Sequence, residues 1–217
     1  MNNPQKISRV LRTKEEARQN YDRMSRWYDL FTSSEKKFTD IGLEMLNTKP
    51  NETILEIGFG TGHALRTLAS GGNTVYGIDL SQKMCTLARN KLERVNLDAH
   101  IHLQNGDATH LPYATNIFDA VFISFTLELF DTPEIPRVLN EVKRILKQDG
   151  RILVVSLLKT PRQSVHIYEW FHQKMPTLID CRPIHAQDSL RAVGFKNIET
   201  TTKSMWRLPV SINLATK

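Results

Sequence analysis

The chain has 217 residues, 24% of them charged and 40% apolar, with a formal net charge of +6. That is the make-up of one soluble α/β domain with a full core, not of a disordered tail or a bilayer-embedded protein. Its longest apolar runs, AVFISF and ILVVSLL, are strand-sized and exclude a membrane-spanning helix, while Cys85 and Cys181 stand too far apart in sequence for a disulfide framework or a metal-ligand pair.

The predicted elements alternate. A helix is expected from about Lys14 to Phe31 and a second from Glu35 to Leu46, followed by a strand at TILEI, a helix over GHALRTLAS and a strand at TVYGIDL. SQKMCTLARNKLERV reads as a helix that opens on Ser81, a good N-cap. AHIHLQN alternates with the period of a strand, and AVFISF is a buried strand. Pro133 to Lys147 is a helix with apolar residues at 135, 138, 142, 145 and 146. After a QDG turn come the strand GRILVVSLL, a helical segment from Tyr168 to Met175, and the short helix AQDSLRAVGF, which ends at Gly194. Two strand-like runs, NIETTTKS and PVSINLAT, joined by the short link MWRL, should form an antiparallel hairpin.

Alternation of this kind predicts an α/β fold: a Rossmann-like, seven-stranded, mostly parallel sheet with helices on both faces, an antiparallel C-terminal strand and an N-terminal helical cap. The expected division of this single domain is a cap over 1–48, a ligand-binding core over 50–158, and an acceptor-side insertion with the hairpin over 159–217.

Charge is unevenly spread. Residues 1–40 carry 9 basic and 6 acidic side chains, 41–150 carry 10 and 13, and 151–217 carry 10 and 4. The acidic middle and basic flanks are either solvated faces or flanks that meet an anionic acceptor or an anionic lipid surface. No basic run is dense enough for a nucleic-acid patch. The N-terminus MNNPQKISRVLRTK lacks the apolar stretch of a secretory signal, so a reducing, cytoplasmic setting is expected. With no HExxH, His/Cys cluster or EF-hand loop, no metal is expected.

The chemistry-bearing stretch is ILEIGFGTGHAL, where Gly58, Gly60 and Gly62 directly follow the first strand. Ligands of such sheets sit beyond the carboxyl ends of the strands. Glycine there lets backbone N–H groups approach a ligand where any Cβ would clash. Asp79, at the end of the second strand, can accept hydrogen bonds from both ribose hydroxyls of an adenosine-type ligand. A dinucleotide loop reads GxGxxG, and its third glycine would fall at position 63, where the chain has His63.

Instead, E-I-G-F-G-T-G from Glu56 to Gly62 resembles the acid-then-GxGxG motif of the class I S-adenosylmethionine-dependent methyltransferases. Their cofactor has no pyrophosphate to cradle but has an ammonium and a carboxylate to hold. The resemblance continues through GIDLS, Gly77 to Ser81, and NGDATHLPYATNIFDAV, Asn105 to Val121. It implies S-adenosyl-L-methionine as cofactor, leaving as S-adenosyl-L-homocysteine. The cofactor set it implies is Tyr28, Glu56, Gly58, Gly60, Thr61, Gly62, Asp79, Leu80, Met84, Asp107, Ala108 and Ser124. Asp107 would accept from the adenine amine, with the Ala108 N–H facing the ring. YDRMSRWYDLF, Tyr21 to Phe31, is similar to a stretch that precedes the core in ubiquinone/menaquinone-biosynthesis C-methyltransferases and in some bacterial phospholipid N-methyltransferases. Tyr21 and Tyr28 share one helical face, which either closes over the cofactor or docks the helix.

There is one departure. The quinone-type enzymes continue past the fourth strand with FGLRN, whereas this chain reads Phe125-Thr126-Leu127-Glu128-Leu129, an acid in place of arginine. Methyl transfer needs in-line placement and exclusion of water, and a base when the acceptor is a phenol, an enolic carbon or an ammonium. Glu128 is the first candidate for that base; it could instead orient an acceptor or be a solvated strand end. His166 is the second, in SVHIYEWFHQKM beside Tyr168 and His172, where aromatics at helical spacing are either pocket or core. The leading reading is a methyltransferase for a small-molecule acceptor, aromatic, quinone-like or lipidic, with a phospholipid or amine N-methyltransferase as the alternative and peripheral membrane contact open. A nucleic-acid base methyltransferase would carry [DN]-P-P-[YF] where this chain has Ser124-Phe125-Thr126-Leu127. A non-methylating nucleotide-binding relative is the third reading.

Overall fold

The protein is described by a computed structural model over residues 9–10, 13–24, 33–175 and 181–217. Strands β1 (Thr53–Ile57), β2 (Thr74–Asp79), β3 (Ile101–Asn105), β4 (Phe118–Ser124), β5 (Leu146–Leu157), β6 (Lys196–Met205) and β7 (Leu208–Thr216) form one sheet. Their order is β3-β2-β1-β4-β5-β7-β6. The first five strands run parallel, and β7 lies antiparallel between β5 and β6. Strand order reverses between β1 and β4, the place where a doubly wound sheet opens a crevice.

Seven helices are described: α1 (Lys14–Met24), α2 (Ser33–Leu46), α3 (His63–Ser70), α4 (Gln82–Glu93), α5 (Ile135–Ile145), α6 (Gln163–Lys174) and α7 (Ala186–Ala192). They cover both faces of the sheet. Phe122, Leu153, Val155 and Ile212 pack with Leu46, Leu65 and Ala88 of α2, α3 and α4. Val121, Ile123, Ile152 and Val154 pack with Val138 and Leu139 of α5 and Leu190 of α7. Alternate residues of β4 and β5 thus feed opposite layers, which is why both strands read as unbroken apolar runs.

Some boundaries differ from the sequence expectation. The helix expected to reach Lys147 ends at Ile145, because Leu146 already pairs with Phe118 in the sheet. Where a QDG turn was expected the chain stays in β5, with a register shift between the Phe118–Leu146 and Ala120–Arg151 pairs. A Cβ on Gly150 would lie 2.9 Å from the Lys147 carbonyl oxygen. The helix expected from Tyr168 starts at Gln163, straight after Arg162 in extended backbone. The MWRL link shrinks to a two-residue turn with Trp206 at φ 49° and Arg207 at φ 68°. Two successive positive φ values suit a tight hairpin, but bulky side chains adopt them only under strain. The part of the first helix expected beyond Met24 lies outside the described residues.

Candidate active site

β1 ends at Ile57, and the chain turns into α3 through Gly58, Gly60 and Gly62 at φ 71°, 52° and 87°. A Cβ on Gly58 would lie 2.3 Å from the Thr126 side chain, so close approach and left-handed backbone both demand glycine. Asp79 locks the loop from the end of β2: Oδ2 accepts from the Gly60 N–H at 2.9 Å and Oδ1 from the Ser81 N–H at 2.8 Å. Each carboxylate oxygen keeps further acceptor capacity. Ser81 caps α4 as its sequence position implied, its Oγ accepting from the Met84 N–H at 3.2 Å. His63 faces elsewhere, with Nε2 at 2.7 Å from Asp40 Oδ1 on α2. It ties the start of α3 to the cap, a job a third glycine could not do.

Beyond the strand ends lies a crevice of about 930 Å³, open solvent at its mouth included. Of the residues expected at the cofactor, Gly58, Gly60, Asp79, Leu80, Met84, Asp107 and Ala108 line it. Thr61 and Gly62 carry the loop into α3 without lining the crevice, and Ser124 Oγ sits 2.9 Å from Thr39 Oγ1 on α2. Tyr28 lies outside the described residues. Glu56 is buried and accepts from the Leu65 N–H, while its Oε2 has no hydrogen-bond partner among the described residues. Burial first, and then the Asp79 charge, push the Glu56 carboxyl up to about 8. Burial likewise raises Asp79 to about 6.

Residues of the expected N-terminal cap line the crevice, though not ones that sequence reasoning singles out. Val10, Thr13, Lys14 and Ala17 line it opposite Leu129, Phe130, Asp131 and Glu134. Arg9 Nε and Nη2 donate to Asp131 Oδ2 at 2.9 and 2.5 Å, and the Val10 N–H donates to Oδ1 at 3.1 Å. Lys14 Nζ reaches Asp107 Oδ2 at 2.6 Å and Glu134 Oε1 at 2.7 Å. Hydrogen bonds from Arg9 hold the Asp131 carboxyl down at about 2. The basic N-terminal flank and the acidic middle therefore pair with each other. Only the charge asymmetry of the sequence hinted at this, and it named no partners.

The two proposed bases lie away from the crevice lining. Glu128 is fully buried in the short turn Leu127–Leu129, where its Oε1 accepts from the Leu157 N–H at 3.1 Å. It is therefore not the solvated strand end the sequence allowed. Burial raises its carboxyl to about 8; the Glu35 charge adds to that rise and the Arg182 charge opposes it. Arg182, also fully buried, donates from Nη2 to the Phe130 carbonyl at 2.5 Å and from Nη1 to Thr132 Oγ1 at 3.3 Å. It fixes the loop that walls the crevice, and nothing in its local sequence marks it. His166 sits on the exposed side of α6, with Nδ1 3.9 Å from Glu169 Oε2. Glu169 itself is buried against Lys159.

A pH dependence follows from these carboxyls. Glu56 and Glu128 hold their protons to about pH 8 in the folded state, against an ordinary value of 4.5. Between those limits the unfolded chain binds fewer protons than the folded one, so stability is lost as pH rises. The melting temperature of the ligand-free protein should fall from pH 5 to pH 8. Glu128→Gln keeps an acceptor for Leu157 and should flatten that fall; an unchanged slope would contradict it.

Comparison with known proteins sharpens the reading. Residues 55–154 match the methyltransferase domain family. Demethylmenaquinone methyltransferase of Lactobacillus johnsonii is 38% identical over 138 residues, covering 61% of this chain but only 54% of that protein. The chain thus spans little more than half of that relative. Demethylmenaquinone methyltransferase of Thermotoga maritima is 30% identical over 169 residues, covering 74% of this chain and 70% of that protein. The chain belongs to the menaquinone-type class I methyltransferases. The solved structure of the [4+2]-cyclase SpnF superposes with a TM-score of 0.75 at 19% identity, over 95% of this chain and 97% of that one. At that identity the likeness shows the fold alone.

The crevice of this family member fits S-adenosyl-L-methionine. Its floor includes Gly58 and Gly60 in left-handed backbone, its rim holds the Asp79 carboxylate, and an orphaned Glu56 oxygen lies in the strand that feeds the loop. Among the described residues no cluster suits a metal ion, and no helix is long and apolar enough to cross a membrane.

Proposed function

We propose that the chain is an S-adenosyl-L-methionine-dependent methyltransferase that works in the cytoplasm on a small, lipophilic, quinone-like acceptor. The observation that carries this is the Asp79 carboxylate, held by the Gly60 and Ser81 N–H groups at the rim of the crevice. In this reading Asp79 takes the ribose hydroxyls, Asp107 the adenine amine, and Ala108 N–H and Met84 the ring. The Glu56 carboxyl, protonated in the ligand-free fold, would give up its proton to pair with the ammonium. When bound, the sulfonium supplies a methyl group already activated for displacement.

The chain's own part is to place the acceptor in line and keep water out, which can account for about 7–11 kcal/mol of barrier lowering. The N-terminal segment, latched by Arg9 and Lys14, closes one wall. The Phe130–Thr132 loop, held by Arg182, forms the other. Full burial and the Leu157 bond argue against Glu128 as a proton acceptor, and the exposed position of His166 argues against a histidine base. Glu128 is assigned instead to holding the turn after β4 against β5. Glu128→Gln should then leave turnover within about threefold of wild type. A folded variant with a much larger loss would return the carboxylate to the chemistry.

The acceptor class rests on the names of the demethylmenaquinone relatives. A second reading, an amine acceptor, is favoured by the acidic surplus of the crevice wall, where three carboxylates, Asp107, Asp131 and Glu134, are paired with two cations, Arg9 and Lys14. Label from a methyl-labelled donor should appear in a reduced naphthoquinone lacking its ring methyl, and not in an aminophospholipid. Label in the aminophospholipid alone would replace the first reading by the second.

A further inference from the structure

Helix α6 has a second apolar side that the core does not cover. Val165 is buried and Tyr168 packs on the core, with Glu169 and His172 buried beside them, whereas Ile167, Trp170 and Phe171 are 51%, 55% and 40% exposed. With Lys174 these follow the i, i+3, i+4, i+7 spacing of one helical face. A soluble helix normally turns that stripe inward. Trp206, 75% exposed, crowns the hairpin turn next to the start of α6, where Ser164 Oγ donates to the Arg207 carbonyl at 3.0 Å.

The turn itself is strained. Trp206 and Arg207 both hold positive φ in a position that Asn-Gly would fill without cost. Strain kept in a hairpin of two bulky residues marks a position held for something other than stability.

Charge settles what this face meets. Arg162, Lys174 and Arg207 are exposed around it, and the only carboxylate from 159 to 175, Glu169, is buried against Lys159. Arg9 and Lys14 are paired on the crevice wall, and Arg151, Lys159 and Arg191 pair elsewhere, which leaves Arg162, Lys174 and Arg207 as the exposed cations of this face. Exposed tryptophans with a rim of lysine and arginine match the headgroup region of an anionic bilayer.

We propose that the outer face of α6 and the Trp206–Arg207 turn dock the protein on the surface of an anionic phospholipid bilayer. The Leu158 N–H donates to the Pro209 carbonyl at 2.8 Å, so the turn lies beyond the carboxyl end of β5. That is the end of the sheet at which the crevice opens. Docking there would set the crevice end toward the lipid, whatever acceptor it takes.

The test is sedimentation of the full chain with vesicles of phosphatidylcholine plus phosphatidylglycerol, and of phosphatidylcholine alone. Two variants accompany the wild type: Trp170→Ser with Phe171→Ser, and Trp206→Asn with Arg207→Gly. The second replaces a strained turn by a preferred one, so it should melt no lower than wild type. Wild type should bind the anionic vesicles, lose binding in high salt, and show a blue-shifted tryptophan emission. Each variant should bind about tenfold less. Equal binding to both vesicle types, or binding that neither variant reduces, would overturn the proposal. So would a wild-type dimer in light scattering that the Trp170→Ser, Phe171→Ser variant dissolves, because a second copy would then cover the face.

Discussion

Replacing Asp79 by alanine should weaken binding of S-adenosyl-L-homocysteine by about fivefold to 150-fold, the roughly 1–3 kcal/mol that a lost charged acceptor is worth. The same carboxylate receives the Gly60 and Ser81 N–H groups at 2.9 and 2.8 Å. Its removal therefore also leaves two loop donors without their acceptor, and the melting temperature should fall along with the affinity. Asp79→Asn separates the two effects. It keeps the shape and one acceptor oxygen, but turns an NH2 toward one of the two backbone donors. Its melting temperature should lie between those of wild type and Asp79→Ala, with affinity close to that of alanine. Titration calorimetry and thermal unfolding read both quantities. Wild-type affinity in Asp79→Ala would remove the adenosine assignment.

Gly58→Val should abolish cofactor binding and destabilise the fold by roughly 2–4 kcal/mol, through backbone strain and overpacking together. The residue sits at φ 71° with its missing Cβ 2.3 Å from the Thr126 side chain. Those two causes can be told apart. Gly58→Ala with Thr126→Gly removes the collision but not the left-handed backbone, so it should recover part of the stability lost in Gly58→Ala alone. No recovery would mean that dihedral strain accounts for the whole effect. A folded Gly58→Val protein that still binds the cofactor would mean that the loop does not form the floor of the site.

Much of this was legible in the sequence because its physics is local. The βα alternation, the Ser81 cap and the glycine loop with Asp79 each depend on residues within one or two elements, and period and spacing reveal them. What stayed hidden depends on contacts across the chain. Arg9 meets Asp131 and Lys14 meets Asp107 over more than 90 intervening positions, and nothing in a run such as KISRVLRTK says which carboxylate each cation will find. Glu128 looked like a strand-end acid open to an acceptor. The fold instead buries it between Leu157 and the Arg182 charge, and that depends on an arginine 54 residues downstream. The start of α6 was misjudged because Arg162 at its N-cap makes no side-chain capping bond and its first turn carries no acid, so no start signal marks it.

The pairing of an acidic crevice wall with a basic N-terminal segment also gives a reason for the uneven charge. Ion pairs of this exposure contribute little to stability individually. Their value here is positional, since they hold a segment across the crevice that the apolar core does not reach.

The most direct measurement is a crystal structure of the protein grown with S-adenosyl-L-homocysteine. The account predicts ribose hydroxyls on the Asp79 carboxylate, adenine between Asp107 and Met84, and glycines 58 and 60 against the ligand. A nucleoside bound elsewhere, or its sugar turned away from Asp79, would contradict it.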